Sequence, residues 1–134
     1  LGRRTPIRWG YRVTPASTML NIADGRRIWL CTSPTDMRRS FDGLSAQVRR
    51  HLGEDPSSGH WFVFINRRRT QLKILAFEEG GYCLWSKRLE QGQFALLGEV
   101  SEVKRDLSRT ALLALLEGID MVVKRQRKRY KKAA

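Results

Sequence analysis

Three consecutive arginines, Arg67, Arg68 and Arg69, stand between two apolar runs of a strongly basic chain. Guanidinium groups fork onto phosphate oxygens, and a two-stranded ribbon is narrow enough to enter a major groove. A compact cationic prong at a hairpin tip is therefore a candidate nucleic-acid contact. The competing reading is an ordinary solvated loop. Lys73, Lys87 and Arg88 in the flanking runs are secondary candidates, as are Arg38 and Arg39 at the start of an amphipathic segment. A second cationic feature lies near the end of the chain, where Lys124, Arg125, Arg127, Lys128, Arg129, Lys131 and Lys132 occur with no acid among them. Such a tail carries charge without shape, so it should grip phosphate non-specifically and in a salt-dependent way.

Catalytic chemistry finds little support. Asp36, Asp42, Glu54, Asp55, Glu78 and Glu79 fall at a helix start, on a helix and in turns. Cutting DNA would require carboxylates converging on a divalent ion. There is no glycine-rich phosphate loop followed by Lys and Ser or Thr. No Ser or Cys nucleophile has a His placed beside it by a recognisable motif. Cys31, Cys83, His51 and His60 match no zinc spacing, and both cysteines sit in apolar strand patterns where a thiol acts as a small buried hydrophobe. The expectation is a non-enzyme with no cofactor and no metal.

The charge is unevenly placed. Of 26 cations, four (Arg3, Arg4, Arg8, Arg12) precede Met19 and seven lie in the tail, which leaves 15 in the middle against all 13 acids. A nearly neutral core between cationic ends points to a polyanion partner. At 134 residues, with 41% hydrophobic residues, the chain fits one domain. Residues 1–18 read as a flexible basic arm, 19–123 as the domain and 124–134 as a basic tail. No apolar run approaches a membrane span, and the start lacks a secretory core, so a cytoplasmic protein without membrane contact is expected.

The elements that must position these residues follow in order. Arg27–Thr32 reads as an interior strand. Thr35 suits a helix N-cap and Asp36 a first turn. Met37, Phe41, Leu44, Val48 and Leu52 then form one helical stripe, stopped by Gly53. Gly43 inside that helix suggests close approach to the sheet. Trp61–Asn66, Gln71–Phe77 and Tyr82–Lys87 read as a three-stranded meander, with Trp29, Trp61 and Trp85 as core. Pairing Phe77 with Tyr82 across the Glu78–Gly81 turn sets Lys73 opposite Ser86 and Leu72 opposite Lys87. In that register the basic groups gather at the end carrying the arginine loop. Gln91–Leu97 is a further strand or an extended segment, and Gly98–Asp106 carries no assignment. Ser108 caps a last helix with Leu112, Leu113, Leu115, Leu116 and Ile119 as its apolar side, ending at Gly118. The fold class is α+β: a mostly antiparallel sheet of four to five strands, two helices packed on one face, and disordered basic termini.

Three motifs in order, TDMRRSFDGL, GEDPSSGHWFVFINRRRTQLKILAFEEGGYCLWSKRLEQGQF and LLALLEGID, resemble the accessory protein of IS sixty-six family insertion sequences, from about Met19 to about Asp120. This is the TnpB-type product of the second open reading frame, distinct from the RNA-guided nuclease of that name. The resemblance implies a part in DNA transposition beside a separate transposase, and it brings no catalytic residues with it. The chain departs from the family where Ala76-Phe77 replace a tryptophan pair and where Ala95-Leu96-Leu97 replace an aromatic-proline ending. Two functions are carried forward. One is a non-catalytic DNA-binding accessory factor acting on transposon ends or target DNA. The other is a module that docks on the transposase, its basic ends serving as nucleic-acid tethers.

Overall fold

The computed structural model describes residues 25–95 and 101–118. The arm, Ile119 and the whole basic tail lie outside the described residues, so the termini expected to be disordered do as well.

Five strands form one sheet: β1 (Ile28–Cys31), β2 (Trp61–Ile65), β3 (Gln71–Glu78), β4 (Gly81–Arg88) and β5 (Lys104–Leu107). Their spatial order is β4-β3-β2-β1-β5. Only β1 and β2 run parallel; the other neighbours are antiparallel. A parallel pair needs a crossover, and residues 32–60 supply it with helix α1 (Phe41–Gln47), which continues as a π-helical turn (Val48–Leu52). Helix α2 (Arg109–Glu117) follows β5. The α+β class and the mostly antiparallel sheet agree with expectation.

The placing of both helices on one face does not. Period-2 alternation along β1 and β2 feeds two separate cores. Ile28, Leu30, Trp61 and Val63 pack with Leu112, Leu115 and Leu116 of α2. Phe62 and Phe64 pack with Leu44, Val48 and Leu52 of α1 and its π-helical turn. The helices therefore cover opposite faces. This is why WFVFI contains no polar residue: the first four residues of β2 are buried and face alternately into one core and the other. Each fully buried Leu or Val on the α1 side contributes about 1.5–3 kcal/mol.

The β3–β4 register is as expected, with Phe77 opposite Tyr82, Lys73 opposite Ser86 and Leu72 opposite Lys87. The turn between them has Glu79 and Gly80 as central residues, both at positive φ (52° and 83°), the two-residue geometry that matches strand twist. Several other expectations are corrected. Thr35 is not the N-cap: α1 begins at Phe41 after Ser40. The Thr35 side chain is buried and accepts a hydrogen bond from Gln47 Nε2 at 2.9 Å. Met37 precedes the helix, and Phe41 is exposed. Gly43 does not admit the sheet; a Cβ there would lie 3.1 Å from Cβ and Cγ of Arg39. Cys31 is buried, but Cys83 is exposed on edge strand β4. The stretch without a sequence assignment contains β5, whose polar sequence buries only Leu107. Gln91–Ala95 packs as an extended segment anchored by buried Phe94.

Three strand lysines tie the helical segments to the sheet. Lys73 Nζ donates to the carbonyls of Met37 (2.9 Å) and Arg39 (2.8 Å), in the turn that leads into α1. Lys87 Nζ donates to the carbonyl of Leu116 in the last turn of α2, at 2.9 Å. Lys104 Nζ donates to the carbonyl of Leu52 at 3.0 Å, pairs with Glu54, and lies 4.7 Å from the centroid of the Trp29 ring. Helix C-terminal carbonyls lack intrahelical partners and carry the negative end of the dipole, so an ammonium there is doubly favoured. Replacing Lys104 with Met should therefore destabilise the fold by about 1–3 kcal/mol, because the Leu52 carbonyl and Glu54 both lose their partner. Urea unfolding followed by tryptophan fluorescence checks this; an unchanged midpoint would show the clamp to be energetically idle.

Candidate nucleic-acid interface

The hairpin between β2 and β3 is built by Asn66. Its Oδ1 accepts from the backbone N–H of Thr70 (2.8 Å) and of Gln71 (3.0 Å), and its Nδ2 donates to Thr70 Oγ1. The backbone N–H of Arg69 closes the turn on the Asn66 carbonyl at 3.0 Å. An Asn that bonds its own turn in this way is a local sequence signal, masked here by the more conspicuous arginines. Arg69 sits at φ 60°, a left-handed conformation that a long side chain adopts at some cost. What holds it there is the segment after β4. Phe94 N–H donates to the Arg69 carbonyl at 2.7 Å, and Arg69 Nη1 donates to the Phe94 carbonyl at 2.8 Å. Gln93 Nε2 donates to the Arg68 carbonyl.

The three arginines are thus not equivalent. Arg69 is turned back into the protein. Arg67 and Arg68 are exposed, and their guanidiniums make no hydrogen bond or ion pair to any described residue. Arg88 stands opposite Gln71 at the base of the loop, so the pairing does bring it beside the tip; it makes a loose ion pair with Glu90 at 3.4 Å.

The remaining candidates divide sharply. Lys73 and Lys87 approach the same end of the sheet but project to opposite faces, where both ammoniums are occupied by carbonyls. Arg38 forks onto Asp36 through Nε and Nη2, at 3.0 and 2.7 Å. That side-chain hydrogen bond, reinforced by the Arg38 backbone N–H, holds the Asp36 carboxyl well below the usual carboxylate range. Arg39 Nη1 donates to Gln47 Oε1 at 2.6 Å. The tail cations from Lys124 to Lys132 lie outside the described residues.

One end of the sheet concentrates what is left. The parallel pairing puts the ends of β1 and β2 together, and the N–H of Thr35 bonds the Ile65 carbonyl at 2.9 Å, next to the hairpin. The connection bearing Arg38 and Arg39 therefore adjoins the loop bearing Arg67 and Arg68. Lys87 places the last turn of α2 at this end too. Among the described residues no group of three or more His, Cys, Asp or Glu side chains could hold a metal ion, and no helix is long and apolar enough to cross a membrane.

Comparison with known proteins places the chain in a family by sequence. A family model described as IS66 Orf2 like protein matches residues 26–126. The match starts just before β1, later than Met19, and it runs on into the first tail residues. The uncharacterized protein y4hO of Sinorhizobium fredii (strain NBRC 101917 / NGR234) is 36% identical over 106 residues, covering 76% of this chain and 88% of the relative. The uncharacterized protein y4jC of the same strain is 35% identical over 102 residues, covering 76% and 86%. No solved structure matches the chain significantly.

Because one amide oxygen serves two backbone donors, Asn66→Ala should cost about 1–3 kcal/mol. The effect is expected as a lower urea midpoint with an unchanged slope. An Asn66→Asp variant keeps the acceptor and should recover most of the stability. Equal destabilisation by both variants would show that the amide oxygen is not what shapes the loop.

Proposed function

The chain belongs to the IS66 Orf2-like family of insertion-sequence accessory proteins, and from that premise we propose that it is a non-catalytic DNA-binding factor. It acts beside a separate transposase, on transposon ends or target DNA, in the bacterial cytoplasm. The observation that carries this reading is the selective exposure of Arg67 and Arg68. Their neighbours are tied into the fold, whereas these two guanidiniums stand out from an over-determined turn with no partner among the described residues. A rigid loop presents a fork to a phosphate at little entropic cost.

The basic tail extends the same reading. Lys124 follows Gly118 by six residues in the sequence, at most about 20 Å of chain. Since the last turn of α2 is held at the hairpin end of the sheet, the tail's charge is available to DNA engaged there. In this division of labour the tail supplies affinity and the loop supplies position. Arg88 is a third, weaker contact at the base of the loop.

A second reading keeps its place because of one observation. Lys73, Lys87, Lys104, Arg38, Arg39 and Arg69 all have partners within the protein. The folded part thus offers less open positive charge than its composition suggests. A surface of that kind also suits a module that docks on the transposase, with the tail as a tether.

The two readings separate in a salt series. Fluorescence anisotropy of the full-length protein with a labelled duplex carrying the element's terminal repeat should give a steep dependence of log K on log salt. Arg67→Ala combined with Arg68→Ala, tail intact, should weaken binding and reduce the slope by about 2, since each arginine neutralises about one phosphate. An unchanged slope would remove the loop from the interface and leave the docking reading.

Asp36→Asn tests the balance in the opposite direction. It removes the carboxylate that holds Arg38, so affinity for any duplex should rise a few-fold at low salt. Unchanged affinity would show that Arg38 is not near the bound DNA.

A further inference from the structure

On the face covered by α1, the connection that leaves β1 and the outer side of the helix enclose an open cavity of about 530 Å³. Its polar lining is Ser33, Arg39, Gln47, Arg50 and His51. Pro34, Gly43 and Ala46 complete the wall, and no carboxylate contributes to it. A concavity with two guanidiniums, an imidazole and no acid has one natural ligand class, an anion.

The lining is arranged rather than merely basic. Arg39 Nη1 is fixed by Gln47 Oε1, and Gln47 is itself held by its Nε2 bond to the buried hydroxyl of Thr35. Gly43 lets the stem of Arg39 lie flat across the helix, since a Cβ there would stand 3.1 Å from that stem. Ser33 Oγ and His51 Nε2, both in the lining, are hydrogen-bonded to each other at 3.1 Å. Arg50 is exposed, and its guanidinium has no partner among the described residues. Arg50 and His51 both lie in the π-helical turn, an uncommon geometry that gathers at functional sites. The cavity falls within the size range of small-molecule pockets and exceeds what a bare inorganic anion fills.

We propose that this cavity is a binding site for the phosphate group of a nucleotide. Arg50 is the fork that grips the phosphate oxygens, Arg39 the second, pre-positioned cation, and Ser33 with His51 a hydrogen-bonding rim. The nucleotide is either free or part of a DNA strand. Ser33 lies just after β1, and nearby Thr35 bonds Ile65 beside the hairpin. A strand engaged at the hairpin end could therefore place a phosphate here. The proposal does not need that contact, because neither Arg67 nor Arg68 lines the cavity.

Isothermal titration calorimetry on the full-length protein tests it. The ligands are a deoxynucleoside 5′-monophosphate, the matching nucleoside, and a short single-stranded oligonucleotide with a 5′-phosphate. Arg50→Gln is the variant and Arg68→Gln the control. The Arg50 guanidinium holds no partner among the described residues, so Arg50→Gln should leave the thermal midpoint unchanged. It should weaken monophosphate binding at least tenfold, whereas Arg68→Gln should not. Sensitivity to Arg50→Gln with the oligonucleotide alone also supports the site and identifies a strand as the source. If Arg50→Gln changes the binding of neither phosphate ligand, or if the nucleoside binds as tightly as the monophosphate, the proposal is overturned. Loss of binding in Arg68→Gln alone would speak for the hairpin and against the cavity.

Discussion

Ammonium groups bound to carbonyl oxygens hold this domain in its shape. The two edge strands each contribute a lysine to a helix end, Lys87 from β4 and Lys104 from β5, and Lys73 of β3 binds the turn that leads into α1. Apolar burial presses α1 and α2 onto the sheet, and Gly53 and Gly118 end the helical stretches at positive φ. At the Leu52 and Leu116 carbonyls a strand lysine across the layer then supplies the partner that a helix end lacks. The two cores then have boundaries, and the hairpin between β2 and β3 projects from a frame with little freedom.

The same bonds change what the net charge of +13 means. Charge counted along the sequence suggests a core scattered with phosphate-binding groups. Counted by partner, much of it serves the fold. Lys104 neutralises Glu54, Arg27 pairs with Asp106 at 2.9 Å, Arg38 is forked onto Asp36, and Arg69 is bound to the Phe94 carbonyl. Arg67, Arg68 and Arg50 stand apart from these pairings. Function in an insertion-sequence accessory protein of this size is therefore best sought where open guanidiniums border the hairpin and the cavity on α1.

Much of this was legible in the sequence, for local reasons. The β3–β4 register follows from turn chemistry at Glu79-Gly80, and Gly53 and Gly118 stop their helices at positive φ. Ser108 caps α2 as its sequence suggests, accepting the Ala111 N–H. What the sequence hides depends on distant partners. Thr35 and Asp36 look like a helix start, but the hydroxyl belongs to Gln47 and the carboxylate to Arg38. The segment KRDL carries no strand pattern, because β5 is an edge strand joined to β1 through its backbone and buries a single side chain. Apolar residues on both faces of β2 signal burial, but only the packing shows that a different helix covers each face. Nothing local marks a lysine that will cap a helix 29 or 52 residues away.

In the proposed function, shape at the hairpin end, not charge in bulk, directs this protein to DNA. A charge-matched comparison tests it most directly. Full-length Arg67→Ala/Arg68→Ala and full-length Lys131→Ala/Lys132→Ala each remove two cations. Each would be titrated against a duplex with the element's terminal repeat and against a scrambled duplex of equal length. The hairpin pair should abolish the preference for the terminal repeat, while the tail pair should weaken both duplexes alike and keep the preference. Equal effects of the two pairs on both duplexes would contradict this, and charge in bulk, wherever it lies on the chain, would then account for the binding.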